Sequence, residues 1–60
     1  MKTSLPKDPV MLLSVINTNL RYYYENLHQL CEDLELSQDE LCRTLEQIDY
    51  QYDAGQNQFV

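Results

Sequence analysis

The connection Glu35-Leu36-Ser37 constrains the fold more than any other stretch of this chain. Before it, Leu27, Leu30, Cys31 and Leu34 recur at i, i+3, i+4 and i+7, the spacing of one helix face, with Asn26 placed to cap the start. After it, Ser37 and Glu40 make a Ser-x-x-Glu capping box for a helix whose inner face is Leu41, Cys42, Leu45 and Ile48. A link this short makes the two helices cross sharply instead of lying side by side as a long hairpin. Leu30, Leu34, Leu36, Ser37 and Leu41 match the general helix-turn-helix pattern. The match departs at Cys31, where a small residue is usual, and at Glu35, where glycine is usual.

A third helix precedes this pair. MKTSLPK, residues 1–7, reads as a flexible polar arm, and Asp8-Pro9 then supplies an N-cap and a proline at the first helical position. At about 100° per residue, Leu12, Leu13, Ile16, Leu20, Tyr23 and Tyr24 gather on one face. Met11, Val15 and Tyr22 form a second, separate apolar stripe. One stripe suits the core of a monomer; two imply a helix covered on both sides. The predicted helices run near 8–24, 27–35 and 38–48, with Leu12, Ile16, Leu20, Leu30, Leu34, Leu41, Leu45 and Ile48 buried together.

The tail changes period. YQYDAGQNQFV alternates around a turn-rich Asp53-Ala54-Gly55, which predicts a two-stranded hairpin over about 49–60. Two registers compete. Gly55 in a left-handed position favours a three-residue loop and sets Tyr50 opposite Gln58, whereas a four-residue loop sets Tyr50 opposite Phe59, an apolar cross-strand pair. The second is preferred. The predicted class is therefore mainly α: a three-helix, helix-turn-helix-like domain, residues 8–60, with a short C-terminal β-hairpin, the outline of a minimal winged helix.

Sixty residues hold one core and no more. Such a chain sits near zero net stability unless a disulfide framework, a metal, very good packing or a partner helps it. Cys31 and Cys42 are too few for a secreted disulfide scaffold. Lys2 and Lys7 before VMLLSVI mimic a signal peptide, but the apolar run is seven residues, begins at a helix start and meets Asn17-Thr18-Asn19 with no small-residue cleavage site. It is also too short to span a bilayer. The expectation is a cytoplasmic protein whose two thiols stay reduced.

The charge decides among functions. Ten acids stand against four bases, and residues 26–50 carry seven acids against Arg43 alone. A DNA binder gains most of its affinity by neutralising phosphates, so the field opposes that use. Gln38, Asp39, Arg43 and Gln47 would face outward on the third helix; Gln and Arg can read bases, but Asp39 and Glu40 would meet phosphates. His28-x-x-Cys31 with Cys42 falls short of the four ligands of structural zinc. Catalysis has no footing either: one His, one Gly, and acid pairs (Glu32-Asp33, Asp39-Glu40) that diverge on a helix. No cofactor, metal or enzymatic activity is expected.

LPKDPVMLLSVINTNLRYYY, LHQLCEDLELSQDEL and IDYQYDAGQNQF together resemble the uncharacterised bacterial family 4250 of the domains of unknown function, over roughly residues 5–59. LPKDPVMLLS and YDxxxNQF are the most specific parts. The resemblance implies a short, stand-alone bacterial cytoplasmic protein and a glycine where this chain has Asp49, at a helix end where Asp tolerates a left-handed backbone. It carries no activity and no site residues.

What remains is an apolar stripe without a use inside the chain. Met11, Val15 and Tyr22 beside an open hairpin edge point to a protein–protein interaction module that self-associates as a homodimer. The alternative is a diverged nucleic-acid-binding helix-turn-helix whose charge was lost or comes from a partner.

Overall fold

A computed structural model describes residues 5–60, in the order α1 (Pro9–Tyr22), α2 (Leu27–Leu34), α3 (Gln38–Glu46), β1 (Tyr52–Asp53) and β2 (Gln58–Phe59). Three helices and an antiparallel hairpin are present as the periodicity predicts. Each helix begins where the sequence places a cap. Asp8 accepts from the Val10 N–H at 3.3 Å, Asn26 from the Gln29 N–H at 2.8 Å, and the Ser37 hydroxyl from the Glu40 N–H at 3.3 Å. Of the predicted arm, residues 1–4 lie outside the described residues, and Leu5 packs against the core.

The ends of α2 and α3 share one device. In α2 the Leu36 N–H donates to the Cys31 carbonyl and the Glu35 N–H to that of Glu32, with Glu35 left-handed at φ 56°. In α3 the Tyr50 N–H donates to Leu45 and the Asp49 N–H to Glu46, with Asp49 at φ 64°. Both are Schellman motifs that satisfy the last carbonyls of a helix, and glycine is the usual residue at the left-handed position. The helix-turn-helix turn thus keeps its geometry although Glu35 replaces the usual glycine.

Leu12, Ile16, Leu20, Leu27, Leu30, Cys31, Leu41, Leu45 and Phe59 form the core. Two of the predicted core residues, Leu34 and Ile48, are only half-buried, because each immediately precedes a left-handed residue that turns the chain away. Phe59, 1 % exposed, replaces them as the large side chain that closes the core. Helix α1 also ends earlier than predicted: Tyr23 is its C-cap, with φ −124°, and is 73 % exposed, not part of the core face. Tyr24 keeps its predicted place, half-buried against the core.

The hairpin has the predicted four-residue loop with its register displaced by two. Tyr52, not Tyr50, stands opposite Phe59, and Asp53 opposite Gln58. The cause lies in the loop. Asn57 takes the left-handed conformation at φ 54° and Gly55 does not, while Asp53 accepts from the Gly55 N–H at 2.9 Å. A shift of two preserves the face, so an aromatic pair still forms, with ring centroids 5.6 Å apart. The Gln51 and Val60 backbones exchange both hydrogen bonds, at 3.0 and 2.9 Å, which turns the N–H and C=O of Phe59 away from β1. Asn17 on α1 takes them both: its carbonyl oxygen accepts from Phe59 N–H at 2.8 Å and its amide donates to the Phe59 carbonyl at 3.1 Å. The predicted open edge is therefore closed along β2 within the same chain.

Three outcomes follow from this packing. Leu45→Ala should destabilise by about 2–5 kcal/mol, the usual cost for a core leucine, read as a loss of the folded baseline in urea. Asn57→Ala should cost about 1–3 kcal/mol by leaving partly buried backbone groups unpaired. Glu35→Gly should instead stabilise by roughly 0.5–1 kcal/mol, relieving a left-handed side chain and removing an anion from a helix C-terminus. A destabilised Glu35→Gly variant would contradict the assigned turn geometry.

Candidate functional site

Helix α1 buries Leu12, Ile16 and Leu20 on one side. On the other, Met11 is 58 % exposed, Tyr22 is 67 % exposed and Val15 is half-buried. At 1.5 Å per residue the stripe is roughly 16 Å long. Its C-terminal end is ordered by neighbours: the Arg21 guanidinium carbon lies 5.5 Å from the centre of the Tyr22 ring, and Tyr23 meets that ring edge-on at 6.5 Å. Val10 is exposed as well, about 100° around the helix from Met11 and so outside the stripe. Arg21 is the one charged residue between Pro9 and Tyr22, so this face belongs to the one helix without acids. The three residues singled out from the sequence share an outer face, and the fold leaves two of them largely in water.

The outward side of α3 is acidic. Gln38, Asp39, Glu40, Arg43, Glu46 and Gln47 are all exposed, which sets three carboxylates around one guanidinium where a recognition helix would meet phosphates. The positive end of the helix dipole is already matched by Asp39 and Glu40 in the first turn.

A surface depression of about 460 Å³ is open and lined by Tyr24, Gln29, Glu32 and Asp33. Inside it the Tyr24 hydroxyl donates to Asp33, and that hydrogen bond, with some desolvation and the carboxylate charge, holds the phenol above its usual pKa. His28 and Glu32 approach to 3.5 Å on the exposed face of α2. Among the described residues no three His, Cys, Asp or Glu side chains converge as a metal site would require. Cys31 and Cys42 are free thiols, one buried and one half-buried. Desolvation pushes both up, reinforced at Cys31 by Cys42 and at Cys42 by Asp39 and Glu46. They behave as small apolar side chains on the α2–α3 seam.

The residues that sequence reasoning missed are polar and lie at the corner between α1 and α2. Asn57 donates to the Leu20 carbonyl at 3.0 Å and the Tyr24 carbonyl at 3.1 Å, capping the end of α1. Its carbonyl oxygen accepts from the Tyr52 hydroxyl at 2.6 Å, and that hydroxyl accepts from the Leu27 N–H at 3.2 Å, the first of α2. One motif, Tyr52-Asp53…Asn57-Gln58-Phe59, thus caps two helix ends and fills the core. The alternation of the tail is the only signal for it.

These features define a small tri-helical scaffold whose C-terminal hairpin clasps its first helix. The chain belongs to the family described as Domain of unknown function (DUF4250), whose model matches residues 6–59. No curated protein and no solved structure matches it. Among the described residues no helix is long and apolar enough to cross a membrane.

The thiols give this region a pH signature. A pKa raised by folding contributes stability that is complete below the unfolded value and lost as pH rises through the folded one. The urea midpoint should therefore hold steady up to about pH 8 and fall above about pH 8.5 as unfolded thiols ionise. In Cys31→Ala the midpoint should start lower and fall less. A parent midpoint flat to about pH 10 would show that the thiols are not desolvated by folding.

Proposed function

We propose that this chain is a non-enzymatic protein–protein interaction module that pairs with a second copy of itself through Met11, Val15 and Tyr22. One observation carries the reading. A helix that has already supplied the core keeps a second, acid-free apolar stripe in water, on a chain whose net charge is −6. Two copies can meet on this face without opposing carboxylates, about a two-fold axis that sets the same patch against itself. Tyr22, steadied by Arg21 and Tyr23, and Met11 are the anchors, residue types enriched at such surfaces. Pairing also raises stability by mass action, which suits so short a chain. The same reading places the protein in the bacterial cytoplasm, in keeping with its two free thiols.

The helix-turn-helix outline favours one alternative, a diverged nucleic-acid-binding domain. The charges on α3 speak against it, because affinity for a duplex rests on phosphate neutralisation.

Sedimentation at tens of micromolar should show a dimer for the parent chain and a folded monomer for Met11→Glu/Tyr22→Lys, both sites being exposed. A parent that sediments as a well-folded monomer would defeat self-association. Duplex DNA should show no mobility shift at about 50 mM salt with micromolar protein, and saturable binding there would favour the alternative.

A further inference from the structure

We propose that the C-terminal hairpin, residues 50–60, also exchanges between two copies of this chain, with the hinge at Ile48–Tyr50. In the exchanged pair, Phe59 and Asn57 of each copy dock onto α1 of the other. Every side-chain hydrogen bond that ties the hairpin to the helices reaches far away in sequence, to Asn17, Leu20, Tyr24 and Leu27. What joins it to α3 is a tight turn with Asp49 at φ 64°. The hairpin is bonded within itself, through the Gln51–Val60 pair and the Asp53 loop, so it can move as one piece. Opening the hinge releases the Asp49 N–H from Glu46 and the Tyr50 N–H from Leu45. In return Asp49 leaves the left-handed region and its carboxylate moves off the negative end of α3. Every clasp contact re-forms between copies unchanged, so the hinge and the concentration set the balance. A short hinge under strain is the feature that invites such exchange. Phe59 lies in the core, so exchange passes through the unfolded chain and is fixed when the protein refolds. The face used is the hairpin-docking side of α1, not the Met11–Val15–Tyr22 stripe, and the proposal stands apart from that reading.

The test refolds a mixture of isotope-labelled and unlabelled chains from denaturant at about millimolar concentration and isolates the dimer. Isotope-filtered NMR should then show Phe59 of one chain against Asn17 of the other. Asp49→Gly, which removes the strain from the closed turn at both hinges, should weaken this dimer about 5- to 30-fold. Met11→Glu/Tyr22→Lys should leave it unchanged. Refolding that yields only monomer would overturn the proposal, as would an Asp49→Gly dimer as tight as the parent's. A dimer with intermolecular contacts through Met11 and Tyr22, and Phe59 kept on its own chain, would support the stripe and overturn exchange.

Discussion

Asn57 and Tyr52 hold the corner on which the remaining structure depends. Where α1 ends and α2 begins, a helix leaves carbonyls without partners and the next leaves N–H groups without partners. In this chain one amide and one phenol from the hairpin satisfy them, linking Leu20, Tyr24 and Leu27 through Asn57 and Tyr52. The same hairpin sends Phe59 into the core and lends its backbone to Asn17. The tail is therefore not a wing added to a finished three-helix domain. It supplies both the caps and the last large core side chain, which is how so few residues close a core with both cysteines free.

The helices were legible because their signals are local. Asp8-Pro9, Asn26 and Ser37 each act within three residues, and the faces repeat at helical spacing. The end of α1 was not legible: nothing in Arg21-Tyr22-Tyr23-Tyr24 breaks a helix, and the amide that donates to the Leu20 carbonyl lies 37 residues away, in Asn57. The register failed for a related reason. Tyr50 and Tyr52 are the same residue type on the same face, so an aromatic partner for Phe59 does not choose between them, and the choice falls to Asn57, which takes the left-handed position and is needed at the corner. Phe59 was missing from the predicted core since a two-residue strand gives no period to read, whereas Leu27 and Cys31 stood on the periodic face of α2 without being counted in that core. The stripe of Met11, Val15 and Tyr22 could be read as a shared face; which side of α1 the hairpin covers could not.

Glu35 and Asp49 are places where local preference and fold disagree. Both are acids in left-handed positions at the negative ends of helices, where glycine or a base is favoured. Together with Glu32, Asp33 and Glu46 they make the surface of α2 and α3 acidic at some expense of stability, while α1 keeps one face apolar and free of acids. This division sets the acidic surface and the apolar face on different helices, the apolar face on the helix that takes most of the hairpin's hydrogen bonds.

The most direct test of the clasp is native-state hydrogen exchange at the Phe59 amide. A two-residue strand in an isolated hairpin ordinarily frays and exchanges fast. If the hairpin closes the core, the Phe59 N–H, bound to Asn17, should exchange only on global unfolding, with the same opening free energy as Ile16 and Leu20. A Phe59 amide that exchanges orders of magnitude faster while Ile16 and Leu20 stay protected would contradict the account, showing three helices that hold together without their tail.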